Sequence, residues 1–232
     1  MSKTKIKRKT TGFDILYRVV TAVMAAAMFP AFWFGKLITF AITHEDISDL
    51  LNYFRDEASL DVTVDSFSLA QLSKWADLVS SFSSDDFDFK TGILQNELYR
   101  PLVIAAVFVM IALILGLVIL GFAIFSNKTK VITAISGAGF LSTVATYISF
   151  NAFAKPLVAG EVSLAELFNI DGLIATTIMG FLGDVKVFTL DSAFYAVMFL
   201  MLGILVWSVS VMIVNADDEK AKAEKAMARS KK

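Results

Sequence analysis

The residue types that carry most enzyme chemistry are scarce in this chain. It has one histidine and no cysteine in 232 residues, which excludes thiol chemistry and Cys/His metal sites. His44 precedes Glu45 and Asp46, a group that could bind a metal or relay a proton, although a surface histidine near a helix start explains it better. The acidic run 85–88 could attract calcium, but it lacks the spacing and the glycine of an EF-hand loop. We therefore predict a protein without enzymatic activity, with no catalytic residue, metal site or cofactor.

Small and hydroxyl-bearing residues recur at steps of four along one apolar stretch, residues 131–154. Because small residues four apart let helices approach closely in lipid, the simplest interpretation is packing between helices. The polar members would also line any path for water, so the alternative interpretation is a pore. The predicted helix-packing or pore-lining residues are Ala134, Ala138, Gly139, Ser142, Thr143 and Thr146.

Four long apolar stretches must position these residues. Residues 19–35, 102–125, 131–154 and 193–214 contain no acid or base. Each is about as long as the roughly 20 residues that a helix needs to cross a bilayer. A hydrophobic content of 56% also exceeds that of soluble domains. The predicted fold class is an all-α membrane protein: a four-helix transmembrane bundle with a small α+β extracytoplasmic domain formed by two loops.

The charges between these stretches alternate in sign. Basic segments are 1–18 (six bases, one acid), 126–130 (two bases) and 216–232 (six bases, four acids). Acidic segments are 44–100 (twelve acids, four bases) and 155–192 (five acids, two bases). Because lysine and arginine stay on the cytoplasmic side, both termini are predicted to be cytoplasmic and the acidic segments external. External segments without cysteine favour a bacterial or archaeal plasma membrane, and the predicted location is the plasma (inner) membrane of a bacterium, with the chain as a multi-pass protein in it.

The predicted division of the chain follows from these charges and spans. It comprises a basic cytoplasmic N-terminus (1–14), a first span with an outer stalk (15–43), an acidic external loop (44–100), a second span (101–125), a cytoplasmic turn (126–130), a third span (131–154), a second external loop (155–192), a fourth span (193–214) and a cytoplasmic tail (215–232). None of the predicted spans contains an acidic residue, which argues against an ion-coupled carrier.

Lys36 and Trp33 are predicted to lie at the outer membrane interface. A first span that ends near residue 35 leaves Lys36 where its stem can extend toward water, and tryptophan favours this depth. We expect 37–43 to continue the helix as the stalk. The apolar run 172–183 would be about 18 Å long as a helix, too short to span. It is interpreted as an interfacial or re-entrant segment, or as ectodomain core.

The first external loop is patterned like a folded domain. Apolar residues follow helical spacing over 47–54, alternate with polar residues over 60–65, and return to helical spacing after a capping-box sequence at 68–71. Such apolar faces need something to bury them. We therefore predict an integral membrane scaffold or accessory subunit that binds a partner through this domain.

The alternative function is a homo-oligomeric channel or pore lined by the third span. The expected partners are the lipid bilayer together with either further copies of the chain or other subunits of a membrane complex. No nucleic-acid partner is expected.

Overall fold

The computed structural model describes residues 12–42, 68, 97–126, 128–162 and 185–230. This part of the chain is mostly helical, with four helices long and apolar enough to span a membrane and a two-stranded sheet. The elements are α1 (Gly12–Phe34), β1 (Ile38–Ile42), a 3-10 turn (Glu97–Tyr99) leading into α2 (Arg100–Phe125), α3 (Thr129–Val158), β2 (Val185–Leu190) and α4 (Ser192–Ser230). The prediction of four apolar helices in a mostly helical protein is thus confirmed.

Strand β1 shows that the predicted helical stalk over 37–43 is wrong. Helix α1 ends at Phe34, and β1 pairs antiparallel with β2, with Phe40 opposite Phe188 and Ile38 opposite Leu190. Both strands are rich in β-branched and aromatic residues, which favour an extended backbone. The register shifts between Ala41 and Ile42, as at a β-bulge.

Several sequence predictions fall outside the described residues. The patterned segment 47–65, the apolar run 172–183, His44 with its acidic neighbours and the acidic run 85–88 all belong to this group. Those predictions stay predictions.

Helix α3 ends in a hydrogen-bonding pattern that favours a glycine. Gly160 has φ of 70°, and its N–H donates to the Leu157 carbonyl at 3.2 Å. The next N–H, of Glu161, donates to the Pro156 carbonyl at 2.9 Å. These two bonds form a Schellman motif, which satisfies carbonyls that the helix leaves unpaired.

The described residues divide between two compact units. The first contains the chain up to Phe29, Ala112–Leu141 and Phe199 onward, and it includes parts of all four helices. Methionine side chains pack onto glycines here: a Cβ added to Gly116 would lie 3.2 Å from the Met28 sulfur, and one added to Gly203 would touch the Met24 methyl group at 2.5 Å. Flexible methionines fill the space that the glycines leave between the helices.

The second unit, Pro30–Ile111 and Ser142–Met198, contains the sheet. Phe188 of β2 lies at its aromatic centre, with ring centroids 5.6 Å from Phe40, 5.0 Å from Phe150 and 5.9 Å from Phe153. The pairs with Phe40 and Phe153 are edge-to-face, an arrangement that the ring quadrupoles favour. The sheet is therefore packed onto the C-terminal part of α3.

Candidate functional site

The predicted stripe on α3 does not stay on one face of the helix. A step of four residues rotates about 40° beyond a full turn, so three such steps turn the stripe by about 120°. Ala134 and Ala138 are exposed, whereas Ser142 and Thr146 are buried. One buried face runs along α3 in alternating steps of four and three residues; it consists of Ile132, Ser136, Gly139, Thr143, Thr146 and Phe150.

Hydroxyl groups on this buried face bond to the backbone of α3 itself. Ser136 donates to the Thr133 carbonyl at 3.0 Å, and Thr146 donates to the Ser142 carbonyl at 3.0 Å. Such bonds satisfy serine and threonine in a helix with apolar surroundings. Because of these bonds, the Ser136 and Thr146 hydroxyls have hydrogen-bond partners within α3 itself.

Gly139 gives α3 a close approach to α4 within the first unit. A Cβ at this position would lie 2.8 Å from the sulfur of Met201, which is fully buried. The small residue therefore makes room for a large side chain of the neighbouring helix, as small residues do between helices in lipid. Whether the six predicted residues pack helices or line a pore stays a prediction.

The predicted interfacial residues, Trp33 and Lys36, lie at the end of α1, and both are exposed. The Lys36 carbonyl accepts the N–H of Ala193 at 2.8 Å, and the Leu37 carbonyl accepts the N–H of Asp191 at 2.8 Å. Backbone bonds therefore join the end of α1 to the start of α4. We call the residues Lys36–Thr39 and Asp191–Ala193 the junction.

The Asp191 carboxylate is the charged centre of the junction. It accepts the hydroxyl of Thr39 and the backbone N–H of Ser192, at the first turn of α4. The Thr39 hydrogen bond contributes most to holding the pKa of Asp191 below its ordinary value; the Ser192 N–H and the charge of Lys36 act in the same direction against slight burial. Asp191 is thus an ionised N-cap, as the Asp191-Ser192 sequence suggests.

A buried polar face on α1 was missed by the sequence analysis. Asp14 is 6% exposed, and the Tyr17 hydroxyl lies 3.0 Å from that of Ser208 on α4, both buried. The hydroxyl of Thr21 and the indole N–H of Trp207 are buried without a hydrogen-bond partner among the described residues. The helical spacing of 14, 17 and 21 was the available signal.

Asp14 lies inside the apolar helix α1, although it precedes the predicted first span (15–43); where a membrane would begin along α1 stays a prediction. The apolar helix begins at Gly12 and therefore includes Asp14 in its first turn. An acid is tolerated there because it is turned into the protein and lies at the positive end of the helix dipole. The acid lies at the end of the helix, so the middle of α1 remains uncharged.

Arg18 lies on the buried polar face of α1 and caps the C-terminus of α2 with hydrogen bonds. Its Nε donates to the Ala123 carbonyl at 2.8 Å, and its terminal nitrogen donates to the Ile124 carbonyl. The Phe122 carbonyl accepts the N–H of Ser126 at 2.9 Å. Three of the last four carbonyls of α2, which no helical N–H can reach, are thereby satisfied.

Within the described ranges, no group of three His, Asp or Glu side chains is placed to hold a metal ion. The features that the structure brings together are the junction, the buried polar face of α1 and the tightly packed α3. Comparisons with protein-family models, with curated proteins and with solved structures give no match to this chain.

Proposed function

We propose that this chain is an integral membrane scaffold or accessory subunit that binds a partner protein through its two acidic segments. The observation that carries this proposal is the junction with its sheet. The first acidic segment follows β1, and the second acidic segment ends at β2 and Asp191. Because β1 and β2 are hydrogen-bonded to each other, both segments are attached side by side. Such an attachment suits a domain built from two loops.

The charge pattern supports an orientation for this domain. Segment 44–100 carries twelve acids against four bases, and the turn between α2 and α3 carries Lys128 and Lys130. By the positive-inside rule, the turn and both termini face the cytoplasm, and the acidic segments form a small α+β domain outside. We assign the protein to the plasma membrane of a bacterium, because external segments without cysteine fit a compartment that does not depend on disulfides.

The partner proposed for this domain is another membrane-complex subunit or a further copy of the chain. An acidic face recognises a basic or hydrogen-bonding surface, because complementary charges steer association and exclude wrong partners. The basic termini would meet the anionic lipids of the cytoplasmic leaflet.

Site-specific photocrosslinking tests the proposal. A photoreactive residue replaces Val187, an exposed position of β2, and in a matched control it replaces Val206, an exposed position on α4. We expect one protein adduct of defined mass from position 187 in intact cells and none of that mass from position 206. The proposal fails if the two positions give the same adducts and the purified chain is monomeric in mild detergent.

The alternative function is a homo-oligomeric channel lined by α3. The exposed Ala134 and Ala138 could receive a second copy, yet the Thr146 hydroxyl is buried and bonded to its own helix, which favours the scaffold. A flux assay in liposomes separates the two. Solute flux that Ser142→Leu or Thr146→Leu abolishes, and that Val206→Leu on the exposed face of α4 leaves intact, would establish the channel.

A further inference from the structure

We propose that the second unit holds one acyl chain of a phospholipid in an apolar cavity between the helix ends and the sheet. The cavity has a volume of about 220 Å³. Its walls come from all four helices and from both strands, and they include Phe32 of α1, Phe194 of α4 and Leu190 of β2. This inference does not depend on what the acidic segments bind.

The cavity exists because small side chains face large ones. Ala105 and Ala106 of α2 lie on its wall, where longer side chains would reach into the space. Phe32, Phe150 and Phe194 form the buried wall. The rigid aromatic rings do not collapse into the gap, so a volume of several methylene groups stays between the elements.

The lining suits a hydrocarbon and not water. Among the described residues of the wall, Thr146 alone has a polar side chain, and its hydroxyl already donates to the Ser142 carbonyl at 3.0 Å. A buried water needs two to four polar partners, which the described wall residues do not offer. An apolar cavity of about 150 Å³ in another protein stays dry and binds benzene, so 220 Å³ is ample for part of an acyl chain.

The position of the mouth identifies the source of the ligand. Met110, on the wall, is 54% exposed, and Ala106 is exposed beside it. Val107 and Ile111, their neighbours on α2, are 52% and 38% exposed and equally apolar. The cavity therefore opens onto an apolar face of a helix long enough to span a membrane, the surface that acyl chains cover.

Charge at the ends of the wall elements favours a phospholipid over a free hydrocarbon. The exposed Lys36 immediately precedes Leu37 on the wall, and the exposed Arg100 stands two residues before Leu102. The carboxylate of Asp191 also lies near Lys36, but Thr39 and Ser192 engage it. Lysine and arginine side chains form charge-assisted hydrogen bonds with phosphate oxygens, which a phospholipid carries and a free hydrocarbon lacks.

Native mass spectrometry of the full chain, released from nanodiscs of palmitoyl-oleoyl phosphatidylglycerol, tests the proposal. We expect one retained phospholipid per chain. Ala106→Phe fills the mouth and should lower this occupancy at least tenfold, whereas Val107→Phe, which places the same ring outside the cavity, should leave it unchanged. Arg100→Gln should lower the occupancy several-fold.

Two further measurements keep the test decisive. Thr146→Val removes the hydroxyl but preserves the shape of the wall, so this variant should retain the lipid. Loss of the lipid from Thr146→Val would mean that the cavity binds a polar group and would contradict the proposal. Thermal unfolding verifies that each variant is folded. The proposal is overturned if the folded Ala106→Phe variant keeps the lipid. It is also overturned if the unchanged chain is released as a dimer and Ala106→Phe makes it monomeric, because the cavity would then hold part of a second copy.

Discussion

At the scale of single residues, Arg18 explains how a charged side chain is stable beside apolar helices. Its guanidinium donates to two carbonyls at the C-terminus of α2, where the helix dipole is negative and backbone oxygens lack helical partners. The residue therefore replaces water at a helix end. Sequence reasoning placed it in a basic segment and had no means of identifying its partner 105 residues away.

Removing this cap should destabilise the protein measurably. We expect Arg18→Met to lower the free energy of unfolding by about 1.5–3 kcal/mol, the range for hydrogen bonds made by a charged group. Arg18→Lys should lose less, since an ammonium can still reach one carbonyl. Unfolding in mixed micelles measures both, and Lys128→Met, which removes an exposed base next to the same turn, is the control. Equal effects of Arg18→Met and Lys128→Met would contradict the assignment.

Asp191 should make stability depend on pH in the acid range. Its pKa is lowered in the folded protein, chiefly by the Thr39 hydrogen bond, so the ionised form favours folding. This contribution is complete above the ordinary value of 3.8 and is lost as the pH falls through the lower folded-state pKa. Unfolding midpoints measured from about pH 5 down to about pH 2 should therefore fall more steeply for the wild type than for Asp191→Asn. Parallel curves would show that the carboxylate is not engaged in the junction.

At the scale of elements, the helices were predictable and the sheet was not. The local composition of the sequence is enough to identify a helix long enough to span a membrane. For example, α2 begins at Arg100, one residue before the predicted start of the second span. Strand pairing joins residues about 150 positions apart, and no local pattern identifies the partner. Gly35 and the β-branched residues after it indicate that α1 stops there. The prediction of a helical stalk over 37–43 rests on the apolar character of that segment alone.

The two glycines at helix contacts should respond differently to alanine. At Gly35 a new Cβ would meet the Ala31 carbonyl oxygen and, at 2.8 Å, the Ala193 Cβ, neither of which can move alone. At Gly139 it meets the mobile end of Met201, and the gain of about 1 kcal/mol in helix propensity offsets the repacking. We therefore expect Gly35→Ala to destabilise by about 1–3 kcal/mol and Gly139→Ala by less than about 1 kcal/mol.

Gly121→Ala provides the matched control for this pair. No heavy atom of the part of the chain that the structure describes lies within 4 Å of a Cβ added there, so the substitution tests helix propensity without packing. It should leave the unfolding midpoint unchanged or raise it. A Gly139→Ala variant as unstable as Gly35→Ala would mean that Met201 cannot move, and that α3 and α4 are held more rigidly than the contact suggests.

At the scale of the whole molecule, the spanning of a membrane and the direction of spanning are separate questions. Helix α3 has 30 residues, about 45 Å at 1.5 Å per residue, which exceeds a hydrocarbon core of about 30 Å. If α3 spans, Lys128 before it and Glu161 after it lie on opposite sides. The length of α3 places these two residues on different sides of the membrane. The positive-inside rule then predicts that Glu161 is outside and Lys128 is inside.

Cysteine labelling answers both questions, because the chain has no cysteine of its own. Lys128→Cys and Glu161→Cys each place one thiol at an exposed position outside a helix. With a membrane-impermeant maleimide on intact cells, we expect Glu161→Cys to be labelled and Lys128→Cys to react only after permeabilisation. The unchanged chain gives the background. The opposite result would preserve the four spans and reverse the orientation, moving the acidic segments to the cytoplasm. Labelling of both positions in intact cells would instead show that α3 does not cross the membrane.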